Sequence, residues 1–365
     1  MKNNVKVNSN IPFNELPLLP PDNAKIETIA ILRQVTLASI ALAELKGLAY
    51  TLPNPSILLN AVILKEAQMS SEIENVITTH DKLYQALSAT GKPIDHETKE
   101  VLRYREAMLT GFNMVMKKGF LNINGIVSIQ EILEENKAGL RRLPGTSLKN
   151  SITGEVIYTP PDDYDTILLL MKNLESYMNE TDVISHLIKL AVQHYQFESI
   201  HPFYDGNGRT GRIINVLYLC LHGLLDSPVL YLSDYIIKHK ADYYRLLGEV
   251  KINNNWEGWV LFMLRAVEET ARQTNNQIKS INGLFLKLQD KIKENAPKLY
   301  NKELLELLFE QPYCKIEFLV DRLKISRVTA SKYLSGLEKI GMLQSKKIWK
   351  ETIYINIELF ELLKR

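Results

Sequence analysis

His201-Pro202-Phe203-Tyr204-Asp205-Gly206-Asn207-Gly208-Arg209-Thr210-Gly211-Arg212 is the densest run of chemistry in the chain. One imidazole, one carboxylate, three glycines, one carboxamide and two guanidinium groups fall within twelve residues. A glycine inside a helix costs about 1 kcal/mol against alanine, so Gly206-Asn207-Gly208 reads as a turn. Such a turn lets neighbouring backbone N–H groups converge on one anion. Apolar residues flank it at helical spacing. They are Ile184, Leu187, Ile188, Ala191 and Val192 upstream, and Ile213, Leu217, Cys220 and Leu221 downstream, with Gly223 as a stop. The turn is therefore expected to open a buried helix, where free N–H groups and the positive end of the helix dipole favour a phosphate.

Each side chain in the run has a chemical reason. His201 has an ordinary pKa of about 6.5, so it can accept a proton near neutrality. Asp205 is a hard oxygen ligand suited to Mg2+ held between protein and phosphates. Asn207 can donate to a phosphate oxygen through its amide. Gly206 and Gly208 let the backbone approach closely, and Arg209 and Arg212 offer forked donors for further phosphates. Together they describe transfer of a phosphate-containing group to a hydroxyl, by positioning and charge stabilisation.

The run resembles the signature of the Fic family, His-Pro-Phe-x-Asp/Glu-Gly-Asn-Gly-Arg-x-x-Arg, at every fixed position. The resemblance implies a mainly α fold: a helical bundle with a β-hairpin flap. It implies an enzyme that transfers AMP from ATP to a Ser, Thr or Tyr hydroxyl of a protein, itself included. On that resemblance His201 deprotonates the target hydroxyl and Phe203 anchors the loop in the core. Asp205 holds Mg2+ against the α- and β-phosphates. Gly206, Asn207 and Gly208 form the anion hole, and Arg209 and Arg212 bind the β- and γ-phosphates. Tyr204, inside the same run, is counted with the nucleotide-binding residues. Gly208 stands where a phosphorylating relative of this fold has lysine, which favours nucleotidyl over phosphoryl transfer. Two alternatives stay open: transfer of another phosphate-containing group by the same site, and a nucleotide-sensing transcription regulator. The same site could also remove AMP.

The totals fit an ordinary globular protein of two or three domains: 365 residues, 45% apolar, 24% charged, net charge +2. Bulk charge points to neither nucleic acid nor membrane. Cys220 and Cys314 lie far apart and give no metal spacing, which suits a reducing compartment. The beginning of the sequence has no apolar signal core, and no run of about 18 apolar residues occurs. A cytoplasmic location is expected.

In chain order, prolines 12, 17, 20 and 21 mark residues 1–25 as an extended arm. Residues 25–46 read as a helix, with Ile26, Ile29, Leu32, Val35 and Ile40 as one buried stripe. A second helix over 55–75 is mostly apolar and ends in Ser70-Ser71-Glu72-Ile73-Glu74-Asn75. By itself that ending is a solvated turn. On the Fic resemblance, Ser70, Glu74 and Asn75 match the inhibitory pattern Ser/Thr-x-x-x-Glu-Gly/Asn, upstream of the core. Glu74 would pair with Arg212 in place of the γ-phosphate, so ATP would bind misaligned for attack.

Residues 81–120 read as helical with a break at Gly91-Lys92-Pro93, and 122–136 begin a further helix pair. Residues 151–158 suggest a hairpin turning near Thr153-Gly154. It is either an ordinary surface hairpin or, on the resemblance, the flap that holds the target near 150–160 as an added strand. Residues 231–250 read as one helix containing Tyr243 and Tyr244, either core residues or a platform for adenine. A helix over 256–293 becomes polar enough in its second half to connect domains.

Residues 298–365 resemble a small winged helix-turn-helix domain, with Arg327, Ser331 and Lys332 placed to face DNA. Its 13 basic and 9 acidic residues make it only mildly basic, and a protein-binding or dimerising winged helix competes with the DNA reading. The expected division is an N-terminal helical region at 1–110, a Fic core at 111–270, a connecting helix at 271–297 and the winged domain at 298–365. Related proteins are often dimers, so a homodimer is expected.

Overall fold

The computed structural model describes residues 9–88, 93–149 and 153–364. After the arm come α1 (Asn23–Ile26), α2 (Ile29–Ala49), α3 (Pro55–Ile73), α4 (His80–Ser88), α5 (His96–Lys118) and α6 (Ile123–Glu134). A short hairpin, β1 (Leu148–Lys149) and β2 (Val156–Tyr158), leads to α7 (Tyr164–Asn179), α8 (His186–Ile200) and α9 (Asn207–Leu221). Then follow α10 (Leu232–Lys238), α11 (Lys240–Asn253) and α12 (Trp256–Asn295). The chain ends with α13 (Lys302–Glu310), β3 (Tyr313–Cys314), α14 (Ile316–Leu323), α15 (Arg327–Lys339), β4 (Gln344–Ile348), β5 (Glu351–Ile355) and α16 (Ile357–Leu363). Among the described residues no helix is long and apolar enough to cross a membrane.

The chain divides into two compact units, neither of them a single stretch. The first comprises Met1–Ala41, Arg103–Pro228 and Leu232–Glu269. Its centre is α8, buried from Leu187 to Ile200, packed against α7 and α9. A helix buried on every side shows no amphipathic stripe, and α8 shows none. Wholly buried Trp259 of α12 donates its indole N–H to the Ala191 carbonyl of α8 at 2.7 Å. The arm lies on this unit through Leu16 and Leu19, and its Pro17 carbonyl accepts from Gln196 at 2.8 Å. The hairpin is antiparallel, Leu148 opposite Tyr158, and Gly154 takes the positive φ of +70° that its turn needs. Ser151 and Ile152, like Gly91 and Lys92, lie outside the described residues.

The second unit comprises Leu42–Leu102, Val229–Tyr231 and Thr270–Arg365. Its end runs α13-β3-α14-α15-β4-β5, with sheet order β3-β5-β4, the arrangement of a winged helix. The β4–β5 pairing from Gln344↔Ile355 to Ile348↔Glu351 leaves Trp349-Lys350 as a two-residue turn. Helix α13 packs on α3, and Asn54 donates to Glu310 at 2.9 Å. Tyr84 of α4 stacks on Tyr313 with centroids 5.6 Å apart, while Ser88 donates to the Tyr313 carbonyl at 2.9 Å. So α3 and α4 are fastened to the winged domain.

Three local expectations are corrected. On α2 the buried face is Ile31, Ala38, Ala41, Leu42 and Leu45, whereas Ile29, Leu32 and Ile40 are exposed. The helix is apolar nearly all round, so spacing alone cannot select its inner face. Residues 231–250 form two helices, broken at His239. Residues 122–136 hold one helix, α6, whose end is set by Glu135 at φ +51°.

Candidate active site

The 201–212 run is the junction of α8 and α9. His201 closes α8 in a left-handed conformation, φ +49°, its N–H bonded to the Phe197 carbonyl at 3.0 Å. Helix α9 then begins at Asn207 with Gly206 before it at φ +74° and no side-chain cap. The first turn of α9 therefore presents backbone N–H groups and the positive dipole end without a side-chain acceptor of its own.

The loop between them is held from within. Phe203 is wholly buried against Phe197. The Asn207 carboxamide binds the Phe203 backbone at both ends, accepting from its N–H and donating to its carbonyl, each at 2.8 Å. The Asn207 side chain therefore also holds the loop, with one of its two amide N–H donors engaged on Phe203. Asp205 is exposed, with one carboxylate oxygen accepting from Gly206 N–H at 2.7 Å. Tyr204 is half-exposed, and its hydroxyl accepts from the N–H groups of Arg142 and Leu143 at 3.0 and 3.2 Å. Those two bonds favour the phenolate and lower the Tyr204 pKa. Tyr204 thus ties the loop to residues 142–143.

The two guanidinium groups of the run differ. Arg209 is buried and pairs with Glu134, the last residue of α6, at 2.9 Å. Arg212 is also buried, 2% exposed, and its charge adds to the depression of the His194 pKa. The main cause there is burial, which takes His194 down to about 3. His194 Nε2 lies 2.9 Å from the Tyr243 hydroxyl. Tyr243 is consequently core, packed on Trp259, and has no face to offer adenine; Tyr244 is 44% exposed and has one.

Three residues of this site carried no signal in the motif. Arg141 is wholly buried, and its guanidinium donates to the carbonyls of His201 (2.7 Å), Ile200 (3.2 Å) and Pro161. It joins the His201 loop to the segment after β2. Burial lowers its pKa, and the nearby Asp162, Tyr158 and Tyr204 oppose that. Glu134 sits beneath Gly206, where an added Cβ would lie 3.0 Å from its carboxyl carbon. Gly211 lets α8 and α9 close up, since a Cβ there would meet Glu198 at 2.6 Å and Phe197 at 3.0 Å.

Glu74 is the C-cap of α3, half-buried, and Asn75 follows at φ +67°. That conformation explains a Gly or Asn requirement, because other residues strain there. Ser70 and Ser71 are buried, so the helix end is not a fully solvated turn. Tyr158 of the hairpin donates its hydroxyl to the Ser199 carbonyl at 2.7 Å, two residues before His201.

The residues fit a magnesium ion in one respect. Asp205 offers an exposed carboxylate, and among the described residues no group of three metal-ligating side chains surrounds it. Mg2+ is commonly held by one or two carboxylates with substrate phosphates supplying the rest.

Known proteins resemble this chain in sequence and in fold. Residues 120–219 match the Fic/DOC family, residues 32–113 the Fic/DOC family N-terminal domain, and residues 284–359 the C-terminal domain described as protein adenylyltransferase SoFic-like. The chain is 28% identical over 197 residues to protein adenylyltransferase Fic of Aedes aegypti, covering 53% of this chain and 37% of that protein. It is 25% identical over 248 residues to the Drosophila grimshawi protein of the same name, covering 61% and 47%. The chain thus spans less than half the length of these curated relatives. A Fic family protein from Desulfovibrio desulfuricans G20 shares the fold, with TM-score 0.58 at 21% identity over 90% of this chain and 96% of that one. Fic-1 of C. elegans aligns with TM-score 0.51 at 19% identity over 67% and 73%. A complete signature at a helix junction, with all three domain matches falling in order along the sequence, places the chain in the Fic/DOC family, with a Fic N-terminal domain and a SoFic-like C-terminal domain.

Proposed function

We propose that the chain is a protein adenylyltransferase that moves AMP from ATP to a Ser, Thr or Tyr hydroxyl of a protein, including its own. The observation that carries this reading is the uncapped start of α9 at Asn207, one short loop after His201. Phosphate oxygens at that helix start and an imidazole at the end of the preceding helix suit attack of an alcohol on phosphorus.

In this reading His201 takes the hydroxyl proton as the oxygen attacks the α-phosphorus. One P–O bond forms to the target, the bond to the bridging oxygen breaks, and pyrophosphate leaves. Backbone N–H groups of Asn207 and Gly208, at the uncapped start of α9, stabilise the charge developing on the phosphate, and buried Arg212 neutralises the outer phosphates. Asp205 would hold Mg2+, which would supply further neutralisation there. Tyr244 is the better placed of the tyrosine pair for adenine, being exposed. The hairpin would take the target as an added strand, which aligns a hydroxyl with little demand on sequence. Glu74 restrains the reaction by competing with the γ-phosphate for Arg212, and the same carboxylate could orient water for AMP removal.

The test is the intact mass of the chain after incubation with ATP and Mg2+. A gain of one AMP group is expected, and any other increment points to a different donor. His201→Ala should abolish the gain while retaining ATP binding; transfer that persists would assign the proton to another base.

A further inference from the structure

The winged domain is mildly basic as a whole, but its charge is not spread evenly. Residues 327–350, which are α15, β4 and the turn after it, hold six basic residues and one acidic residue. The rest of 298–365 holds seven basic and eight acidic. The segregation follows the fold: the basic stretch consists of the third helix and the wing, the two parts of this architecture that reach a nucleic acid groove.

The positions are open. Arg327, Lys332 and Lys339 on α15 are exposed, as are Lys346, Lys347 and Lys350 of the wing. Neighbouring residues of a strand point to opposite faces, so Lys346 and Lys347 flank the wing on its two sides. Among the described residues, none of the five lysines has an ion-pair partner in the domain. Arg327 pairs only with Glu317, on a bridge whose side chains are 69% and 42% exposed. Exposed bridges of that kind contribute little and exchange readily for a phosphate. The single acid of the stretch, Glu338, accepts from Ser345 N–H at 2.8 Å and is thereby turned to the start of β4.

The rest of the surface suits a groove better than a protein. The outer positions of α15 are short or polar, Thr329, Ser331 and Ser335, with Val328 the one exposed large apolar residue on the helix. A protein-docking helix buries a cluster of apolar anchors, and this one offers a single valine. Ser326 caps the helix by accepting from Thr329 N–H at 3.2 Å, so a thirteen-residue helix directs its positive end outward beside Arg327. At the wing tip Trp349 is 51% exposed with φ +56°, a conformation that bulky residues rarely adopt, and Lys350 Nζ lies 5.1 Å from its ring centroid.

We propose that α15 and the β4–β5 wing form a binding surface for duplex DNA, with Arg327, Lys332, Lys346, Lys347 and Lys350 on phosphates and Trp349 at the groove edge. This goes beyond the transferase reading and stands or falls separately from it.

The test uses the full chain and a fluorescein-labelled random duplex of 24 base pairs, followed by anisotropy at 50 to 200 mM NaCl. Binding should weaken steeply with salt, since each neutralised phosphate contributes about 0.9 to the log–log slope. Lys346→Ala with Lys347→Ala should reduce that slope by about 2 and the affinity at 50 mM at least tenfold. Thermal unfolding of the double variant checks that it is folded, and Arg327→Ala with Lys332→Ala on the helix gives an independent second reading. Absence of binding at 50 mM overturns the proposal and leaves this face to a protein partner. Binding that neither pair of substitutions alters overturns it too, by placing the DNA elsewhere. Equal affinity for heparin of matching charge reduces the surface to a general polyanion site and likewise overturns the duplex assignment.

Discussion

Arg141 donates from Nε to the carbonyl oxygen of His201 at 2.7 Å, from a side chain with no exposed surface. The same guanidinium reaches the Pro161 carbonyl just beyond the hairpin, and Arg141 N–H donates to Pro202 at 2.9 Å. The loop that carries the imidazole is therefore set from outside the motif, by a positioning residue 60 places upstream. Arg141→Ala would leave those carbonyls buried and unpaired, at about 1–3 kcal/mol each. It should lower the melting temperature and slow transfer roughly 100-fold, the scale of a small misplacement of reacting groups. Arg141→Lys keeps the charge but loses the fork, so it should recover stability more than rate. Unfolding curves and self-modification rates for the pair check this; a full rate with Ala would show that the loop holds itself.

Asn207 should tolerate even a minimal change poorly. Asn207→Asp keeps an acceptor for Phe203 N–H but sets a carboxylate oxygen against the Phe203 carbonyl, where the amide now donates. One hydrogen bond becomes a repulsion, for a loss of about 2 kcal/mol. Urea unfolding of the variant measures it. Stability equal to the parent would mean that the carboxamide does not hold the loop and is free to serve a phosphate.

Gly206→Ala combines two costs. The residue sits at φ +74°, where an L side chain loses about 1–2 kcal/mol, and the new methyl would collide with the Glu134 carboxylate. Glu134 cannot simply withdraw, because it neutralises buried Arg209. Destabilisation above the φ term alone, read from thermal unfolding, is expected. Gly206→Asn, which tolerates the left-handed region but is larger, should fare no better.

The motif could be read as a turn between two buried helices because its glycines and flanking apolar residues are local signals. Asn75 belonged to a pattern, and its left-handed φ supplies the physical reason for the pattern. The face of α2 was not legible, since its apolar residues spread nearly all round the helix and mark no single stripe in sequence. Tyr243 and Tyr244 are adjacent and chemically alike, so only packing could separate the buried one from the exposed one. Arg141 and Glu134 were silent for a different reason. Each acts on the loop through space, Arg141 on backbone carbonyls and Glu134 on Arg209, and neither contact has a sequence spacing to detect.

Acid should destabilise the chain through two histidines. Burial lowers His194 to about 3, with Arg212 assisting, and lowers His80 to about 4, with Lys65 and Lys364 assisting. Unfolded histidine titrates near 6.5. The folded values lie below the unfolded one, so the unfolded state takes up protons first as pH falls. The stability these groups permit is whole above about pH 6.5 and declines toward their folded values, with a slope approaching about 1.4 kcal/mol per pH unit for each. His194→Gln should flatten that slope by about half, in denaturant unfolding between pH 7.5 and 4.5. An unchanged slope would place the acid sensitivity in the carboxylates instead.

Glu74→Gly should raise self-modification with ATP and Mg2+ at least tenfold, and because Glu74 sits at the end of α3 with φ −96°, the change should leave folding nearly intact. Two companions separate the carboxylate from the helix end that presents it. Asn75→Gly suits φ +67° and should behave as the parent, while Asn75→Ala strains that residue by about 1–2 kcal/mol and should release part of the restraint. The winged domain bears on the same helix, since α13 packs on α3 and Asn54, the N-cap of α3, bonds to Glu310. Glu310→Ala removes that bond, so it should shift activity in the direction of Asn75→Ala, though by less. Self-modification rates across the four variants decide it: no rise with Glu74→Gly removes the inhibitory assignment, and a rise with Asn75→Gly equal to that with Asn75→Ala would show that the helix end plays no part in presenting Glu74.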